Sequence, residues 1–448
     1  MIYLVDTGEQ LQLTAADLEV RTLGELTFHS PLDGGLLERG ESMHYVGEHD
    51  RVLVDGTLGV AMRRGVPVEE LPTFEPGGPR RKLFFDPKRT KVGIVTCGGL
   101  CPGLNNVIRG LVDELAEHYG VHQVLGFRDG YQGLTPYGAE PMVLTPDSVR
   151  WINQQGGTVL GTSRGGQDPR VMVETLRLRR IDVLFVVGGD GSLRGAQTIA
   201  DEAQRRGLPI AVVGVPKTID NDIPWIDRSF GFQTAFGRAA ESIRAAATEA
   251  RSHPGGVGLV KLMGRHSGFI AAYATLASDD VDLVLIPEVQ MPLEGERGVL
   301  AHVERTLDRQ NHALIVVAEG AGQELFAGSE ETDPSGNAKL HDIGALLRDR
   351  LTGHLAAADK QFQLRYVDPG YAIRSVPANS HDSVYCTRLA QAAVHAAMAG
   401  RTAAVAGRWH GRFVNLPIPL VTSSRNQVDP RGDLWLSVLE ATGQPVHV

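Results

Sequence analysis

The chain has 448 residues, 42% of them hydrophobic and 22% charged, the proportions of a folded protein with room for two or three domains. Its net charge of −9 argues against nucleic acid as a partner, because the phosphate backbone selects a basic face, but leaves room for a local basic pocket. Three cysteines, Cys97, Cys101 and Cys386, are too few for a disulfide scaffold and point to a reducing compartment. The opening MIYLVDTGEQLQ lacks the basic start and long apolar run of a secretory signal. No stretch reaches the ~18 uninterrupted apolar residues of a membrane span, so no membrane partner and a cytoplasmic location are expected. Residues 1–90 are mixed in pattern and are predicted to form an N-terminal extension packed on the main body. Within them, VRTLGELTF and HYVGEHDRVLVDGTL carry strand-like apolar spacing.

From Lys91 onward the pattern is regular. Short apolar runs predict strands at VGIVT (92–96), VHQVLGF, VLFVV (183–187), IAVVGV (210–215), VGLVKLM (257–263), VDLVLIP (281–287) and ALIVVAE (313–319). Amphipathic segments such as LNNVIRGLVDELAEHY and TAFGRAAESIRAAATEAR lie between them as helices. Continuous apolar strands alternating with helices mean parallel sheets covered on both faces. In such sheets ligands bind at the carboxyl ends of the strands. The polar motifs sit at those ends: TCGGLCPG after Val95, GGDGS after Val187, PKTIDND after Val215, MGRHSG after Leu262, and Glu319–Gly320 after Ala318.

Each motif suits phosphate chemistry. In GGDGS, glycines let backbone amides approach phosphate oxygens, and Asp190 can hold Mg²⁺ against them; a plain turn with a capping Asp fits the same residues. PKTIDND places Asp220 and Asp222 beside Lys217 and Thr218. A carboxylate there can take a hydroxyl proton during phosphoryl transfer while a cation offsets charge on the moving group; a solvated acidic turn is the alternative. Arg265 of MGRHSG suits bidentate phosphate contact, or is an ordinary surface arginine; His266 beside it is read as structural. RYVDPGYAIR brings Arg365, Tyr371 and Arg374 around a Pro-Gly turn as an anion clamp. The glycine-rich turn TCGGLCPG opens a helix and suits a phosphate. No second Cys/His pair stands near Cys97 and Cys101, so they are not expected to ligate metal.

TCGGLCPGLNNVIRG, GGTVLGTSRGG, GGDGS, PKTIDND, MGRHSGFIA, AEG and DPGYAIR occur in this order and together closely resemble the phosphofructokinase family. The resemblance runs from about Gly78 to the C-terminus and is nearest the long-chain, ATP-dependent branch of plant and trypanosomatid enzymes. It implies an α/β fold of two Rossmann-like lobes with parallel-rich sheets flanked by helices, plus the extension. The expected division is 91–231, completed by about 376–425, for the donor-binding lobe, and 232–375, completed by about 426–448, for the sugar-phosphate lobe. The implied reaction is Mg²⁺-assisted transfer from ATP to the 1-hydroxyl of fructose 6-phosphate, a step of glycolysis. Gly98, Arg164, Gly165, Gly189, Asp190, Gly191 and Ser192 would bind ATP, with Asp190 on the metal. Asp220 would be the base, with Lys217 and Arg265 catalytic beside it. Thr218, Ile219, Met263, Gly264, Arg265 and Glu319 would surround the sugar phosphate. Tyr371 and Arg374 would grip its 6-phosphate, with Arg365 nearby. A homo-oligomer, tetramer or dimer, is a family expectation.

The resemblance also has departures. Diphosphate-using relatives carry a bulkier acid where this chain has Gly191, so space for a nucleotide favours ATP, although Lys217 is shared with many diphosphate enzymes. Short bacterial members have an arginine seven residues before MGR that reaches a neighbouring subunit. Here Gly256 stands in that place, and Lys261 is the substitute considered. The effector arginine pair of the first helix reads Arg109 and Asp113, so no such effector site is expected. The alternatives are a diphosphate-dependent phosphotransferase of the same fold and a non-catalytic sugar-phosphate-binding regulatory subunit.

Overall fold

The structure is a computed structural model of the chain and describes residues 13–34, 45–57, 67, 70–290, 292–326 and 339–446. The opening MIYLVDTGEQLQ, together with His44 and Leu58 of the second strand-like stretch, lies outside them. In chain order the strands are β1 (Phe28–His29), β2 (Val52–Leu53), β3 (Thr73–Pro76), β4 (Lys82–Leu83), β5 (Lys91–Thr96), β6 (Gln123–Phe127), β7 (Met142–Leu144), β8 (Val183–Gly188) and β9 (Ala211–Pro216). There follow β10 (Gly256–Leu262), β11 (Leu283–Leu285), β12 (His312–Ala318), β13 (Gln363–Val367), β14 (Ala404–Trp409) and β15 (Arg412–Pro417).

Two main sheets result. The larger has nine strands in the order β2-β3-β15-β14-β9-β8-β5-β6-β7; its centre, from β14 to β6, is parallel and its two flanks are antiparallel. The smaller, β11-β12-β10-β13, is parallel throughout. The apolar runs VLFVVG and AVVGVP are buried at every residue, because helices cover both faces of the sheet. The architecture is thus α/β with parallel-rich sheets flanked by helices. No helix among the described residues is long and apolar enough to cross a membrane.

The helix Phe232–Arg251 leads from the larger sheet's last central crossover into β10, and its alanine-rich face is buried against helix Phe269–Ser278 and β10. Small side chains let these elements approach closely. At the end of that crossover Gly256 passes so near the preceding helix that an added Cβ would lie 1.9 Å from the Ala250 carbonyl oxygen. No larger residue fits there, which is why an arginine cannot occupy the position. Lys261, four residues beyond Val257 on β10, is already engaged: its Nζ lies 3.1 Å from Asp342 and 2.9 Å from Asp368.

The segment before β5 joins the sheet rather than trailing from it. β3 pairs with β15 through Glu75↔Asn415 and Pro76↔Val414, and β2 pairs with β3. VRTLGELTF contributes only β1 and an isolated bridge between Thr22 and Arg401, since its partners β4 and the 401 loop are short. Under this flank Glu75 Oε1 accepts hydrogen bonds from Arg80 (2.8 Å), Arg401 (2.9 Å) and Asn415 (2.9 Å). Burial alone would raise the Glu75 carboxyl, but Arg401 and Arg80 outweigh it and hold it below its ordinary value. Such a carboxylate stabilises the fold above its unfolded-state pKa, and the contribution is lost as pH falls through the native one. Glu75→Ala strands the buried Arg80 guanidinium and the largely covered one of Arg401, and should lower the unfolding free energy by roughly 3–5 kcal/mol in urea titrations. The gap to the wild type should narrow as the buffer is acidified, and equal stability at pH 7 would show the network to be neutral.

Candidate functional site

Three loops at the carboxyl edge of the larger sheet meet. After β5, the Gly98 amide donates to the Ser163 carbonyl (3.2 Å) and Thr162 Oγ1 donates to the Gly98 carbonyl (2.6 Å). This lays the loop bearing Arg164 and Gly165 over the TCGG turn. After β9, the buried Lys217 donates from Nζ to the Gly99 carbonyl at 2.7 Å. A Cβ added to Gly98 would lie 3.8 Å from both Lys217 Nζ and Ser192 Oγ, so the turns after β5, β8 and β9 share one small space. Gly189 belongs to the same knot, its added Cβ falling 3.2 Å from the Lys217 carbonyl.

Asp190 opens the helix Asp190–Arg205, where a carboxylate complements the positive end of the helix dipole. It is held in a forked pair by Arg194, at 3.1 and 2.9 Å. Arg194 was not singled out from the sequence, though its position four residues after the acid is the spacing at which helical side chains meet. Position 191 faces open space: a Cβ there would meet nothing within 4 Å. Tyr131, likewise not foreseen, donates its hydroxyl to the Ser192 carbonyl and braces the turn.

Asp220 is the electrostatic centre. Its amide donates to Thr218 Oγ1 (3.0 Å), and the Thr218 carbonyl accepts from Ser229 Oγ (2.6 Å), which fixes the loop from below. Although its edge reaches solvent, the carboxyl is densely enclosed. Burial first, then the nearby Asp222 and Glu319, push it up to about 8; Arg265 and Lys217 pull the other way. That mutual influence places Asp220, Asp222, Lys217, Glu319 and Arg265 in one neighbourhood, although the last two follow β12 and β10 of the other sheet. Burial also lowers the Lys217 amine, with Asp220 and Asp222 partly restoring it. Ile219 is buried beneath this loop.

Arg265 approaches from the four-stranded sheet. Its backbone amide donates to Glu319 Oε1 at 3.0 Å, and its φ of 48° is left-handed, a conformation that persists only where neighbours enforce it. Gly264 before it has φ 143° and no room for a side chain, since a Cβ would fall 2.4 Å from the Ser267 carbonyl. Met263 lies against Gly370, an added Cβ there standing 3.6 Å from its Cγ. The DPGYAIR turn follows, with Tyr371 77% exposed and the Arg374 guanidinium 5.1 Å above its ring. Arg365 is engaged elsewhere: it sits within β13, and its guanidinium lies 3.8 Å from Glu249 in the last turn of helix Phe232–Arg251. Arg109 is likewise paired, with Asp113 (3.1 Å) and Asn153 (3.0 Å). Cys97, Cys101 and Cys386 are buried thiols, raised by that burial. Among the described residues no three potential ligands of a preformed metal cage cluster.

The arrangement offers glycine-rich amides and one carboxylate on one side, an anionic pair with flanking cations in the middle, and arginines with an exposed tyrosine on the other. A raised carboxyl beside a cation can exchange a proton at neutral pH.

Comparison with known proteins places these loops in context. Residues 91–397 match the family model described as phosphofructokinase. An "ATP-dependent 6-phosphofructokinase" of Amycolatopsis methanolica is 57% identical over 439 residues, covering 96% of this chain and 95% of that one. An "ATP-dependent 6-phosphofructokinase 7" of Arabidopsis thaliana is 47% identical over 87% of this chain and 78% of its own, and an "ATP-dependent 6-phosphofructokinase" of Trypanosoma brucei brucei 46% over 81% and 75%. Among solved structures, a pyrophosphate-dependent phosphofructokinase from Marinobacter aquaeolei superposes with a TM-score of 0.65, at 21% identity, over 80% of this chain and 92% of its own. The Pichia pastoris phosphofructokinase in the T-state does so with 0.62, at 23%, over 79% and 37%. These two likenesses establish the fold alone.

Because the Asp220 carboxyl is raised, it destabilises the native state progressively between the ordinary 3.8 and about 8, where the unfolded chain ionises first. Asp220→Asn is therefore expected to raise Tm by a few degrees at pH 7.5, measured by calorimetry, and the gain should vanish near pH 4. An unchanged or lower Tm at pH 7.5 would remove the reading of a strained carboxyl.

Proposed function

The chain belongs to the phosphofructokinase family, and from that premise we propose that it is an ATP-dependent 6-phosphofructokinase transferring the γ-phosphoryl group of ATP to the 1-hydroxyl of fructose 6-phosphate. The observation that carries the proposal is the enclosed Asp220, raised to about 8 yet flanked by Lys217 and Arg265. It is a base poised near the working pH, beside cations able to offset charge on a transferring phosphoryl group.

In this reading the larger sheet serves the donor. The backbone amides of Gly98, Arg164, Gly165 and Gly189 through Ser192 cradle phosphate oxygens, and the open space at Gly191 admits a nucleotide. Asp190 fits Mg²⁺ brought in with those phosphates, since Mg²⁺ in such sites uses one or two carboxylates and keeps its other ligands from water and substrate. The ion would neutralise charge on the donor. Arg194 must release the carboxylate for that contact. The sugar is held from both sheets: Thr218 and Ile219 after β9 of the larger, and Met263, Gly264, Arg265 and Glu319 at the ends of β10 and β12 of the smaller, line it, while Tyr371 and Arg374 take the 6-phosphate and Arg365 lies further along the same strand-and-turn. Asp220 accepts the hydroxyl proton as the oxygen attacks, and Lys217 with Arg265 stabilises the departing and arriving oxygens. The division of the chain is 91–231 with 376–425 on the donor side, and 232–375 with 426–448 on the sugar side. A homo-oligomer and a cytoplasmic location complete the proposal.

A coupled assay with ATP or diphosphate as sole donor tests it directly; turnover only with diphosphate would refute the donor assignment. The rate constant kcat/KM is expected to rise with pH through about 8 and then level, as Asp220 loses its proton. Asp220→Ser should cost about 10²-fold or more in kcat, with a modest change in KM. Near-normal turnover in that variant would discard Asp220 as the base. Gly191→Asp, which places an acid in the open space, should raise KM for ATP.

A further inference from the structure

Beyond β15 the chain leaves the larger sheet, and its last helix, Asp433–Thr442, packs on helix Phe269–Ser278 beside the smaller one. Three consecutive residues in the crossing link, between them, the two loops that carry the proposed chemistry. The Asn426 backbone amide donates to the Asp222 carbonyl at 2.8 Å, and Asn426 Nδ2 donates to the Asn221 carbonyl at 3.2 Å. On the other side, Ser267 Oγ donates to the Asn426 carbonyl at 2.7 Å, and Gln427 Nε2 to the His266 carbonyl at 3.0 Å. The Val428 amide donates to Glu288 Oε1 at 2.8 Å, and the same oxygen accepts the Gly268 amide at 2.8 Å.

Residues 426–428 therefore stitch the loop bearing Asp220 to the loop bearing Arg265. Both loops contain a non-glycine residue in the left-handed region, Asn221 at φ 56° and Arg265 at φ 48°. Such backbone is held only where surrounding bonds over-determine it. The strap supplies those bonds next to both: it grips the Asn221 carbonyl itself, and it grips His266 and Ser267 immediately after Arg265. A base and a phosphate-side cation carried on different sheets need a common reference, because displacement by about 1 Å can cost about 10²-fold in rate.

We propose that Asn426 is a positioning residue that sets the Asp220 loop against the Arg265 loop, so that both face one substrate. The proposal rests on the phosphofructokinase reading of those loops. It is tested in the full chain with Asn426→Ala, Ser267→Ala and the double variant, by kcat, KM for each substrate and Tm. Each single change is expected to lower kcat by about tenfold, to leave KM for ATP within about twofold and to move Tm little. The two bonds lie in series along the strap, Asn426 Nδ2 to the Asn221 carbonyl and Ser267 Oγ to the Asn426 carbonyl, so the double should cost less than the product of the singles, whereas independent sites would multiply. Should Ser267→Ala fail to fold, Gln427→Ala, at an exposed side chain, makes the second cut. A lowered Tm with unchanged kcat, or effects that multiply, overturns the positioning role. Wild-type turnover with a fully active Asn426→Ala overturns the strap alone. A wild type inert with fructose 6-phosphate and either donor overturns the underlying function and the strap with it.

Discussion

The constraint on which the rest of this molecule depends is the confinement of several charges where water is scarce. Asp222 and Glu319 repel the Asp220 carboxylate, and Arg265 and Lys217 attract it. In a medium of low polarity these forces are strong, so a small displacement of any neighbour changes the protonation of Asp220. A loop fastened to one element could not hold such a group steady. Here the acids come from the ends of β9 and β12 and the arginine from the end of β10, each strand buried along nearly its whole length. Rigid parallel sheets are what make an unstable cluster of charges tenable, and the loops at the carboxyl ends of their strands bring its halves together.

The chain's own atoms satisfy the cations of the site meanwhile. Lys217 binds the Gly99 carbonyl, Arg194 binds Asp190, and Arg374 lies over Tyr371. Each partnership is replaceable: a carbonyl, an exposed helical ion pair and a ring face are all weaker company than a phosphate oxygen. Lys261 differs, since two carboxylates hold it at once and draw it into the framework around β13. Gly256, at the start of the strand β10 that bears Lys261, is barred from bearing any side chain by the Ala250 carbonyl.

Much of this was legible beforehand, and for physical reasons. Strands buried on both faces must be apolar throughout, so β5, β8, β9, β10 and β12 announced themselves as uninterrupted runs, and the polar motifs after them marked the functional edge. β13, β14 and β15 gave no such sign. QLRYV and RFVNLP carry charged or amide groups at flank positions, and AVAGRW is built largely of small residues, so neither length nor alternation separates them from loops. Residues acting through unique pairings were equally silent. Nothing in the sequence around Arg365 says that Glu249, on a distant helix, will claim it, nor that Asn426 will reach the PKTIDND loop.

The docking of β2 and β3 beside β15 has a meaning apart from catalysis. A sheet that stopped at β15 would end in a row of unpaired amides and carbonyls, a template for any passing extended chain. The early residues act as a selvage, finishing the fabric with short strands of four residues and two, too brief to recruit a neighbour in turn. Along that side the sheet is closed to fibrous growth by the chain's own earlier segment, before any other copy can supply the missing partner.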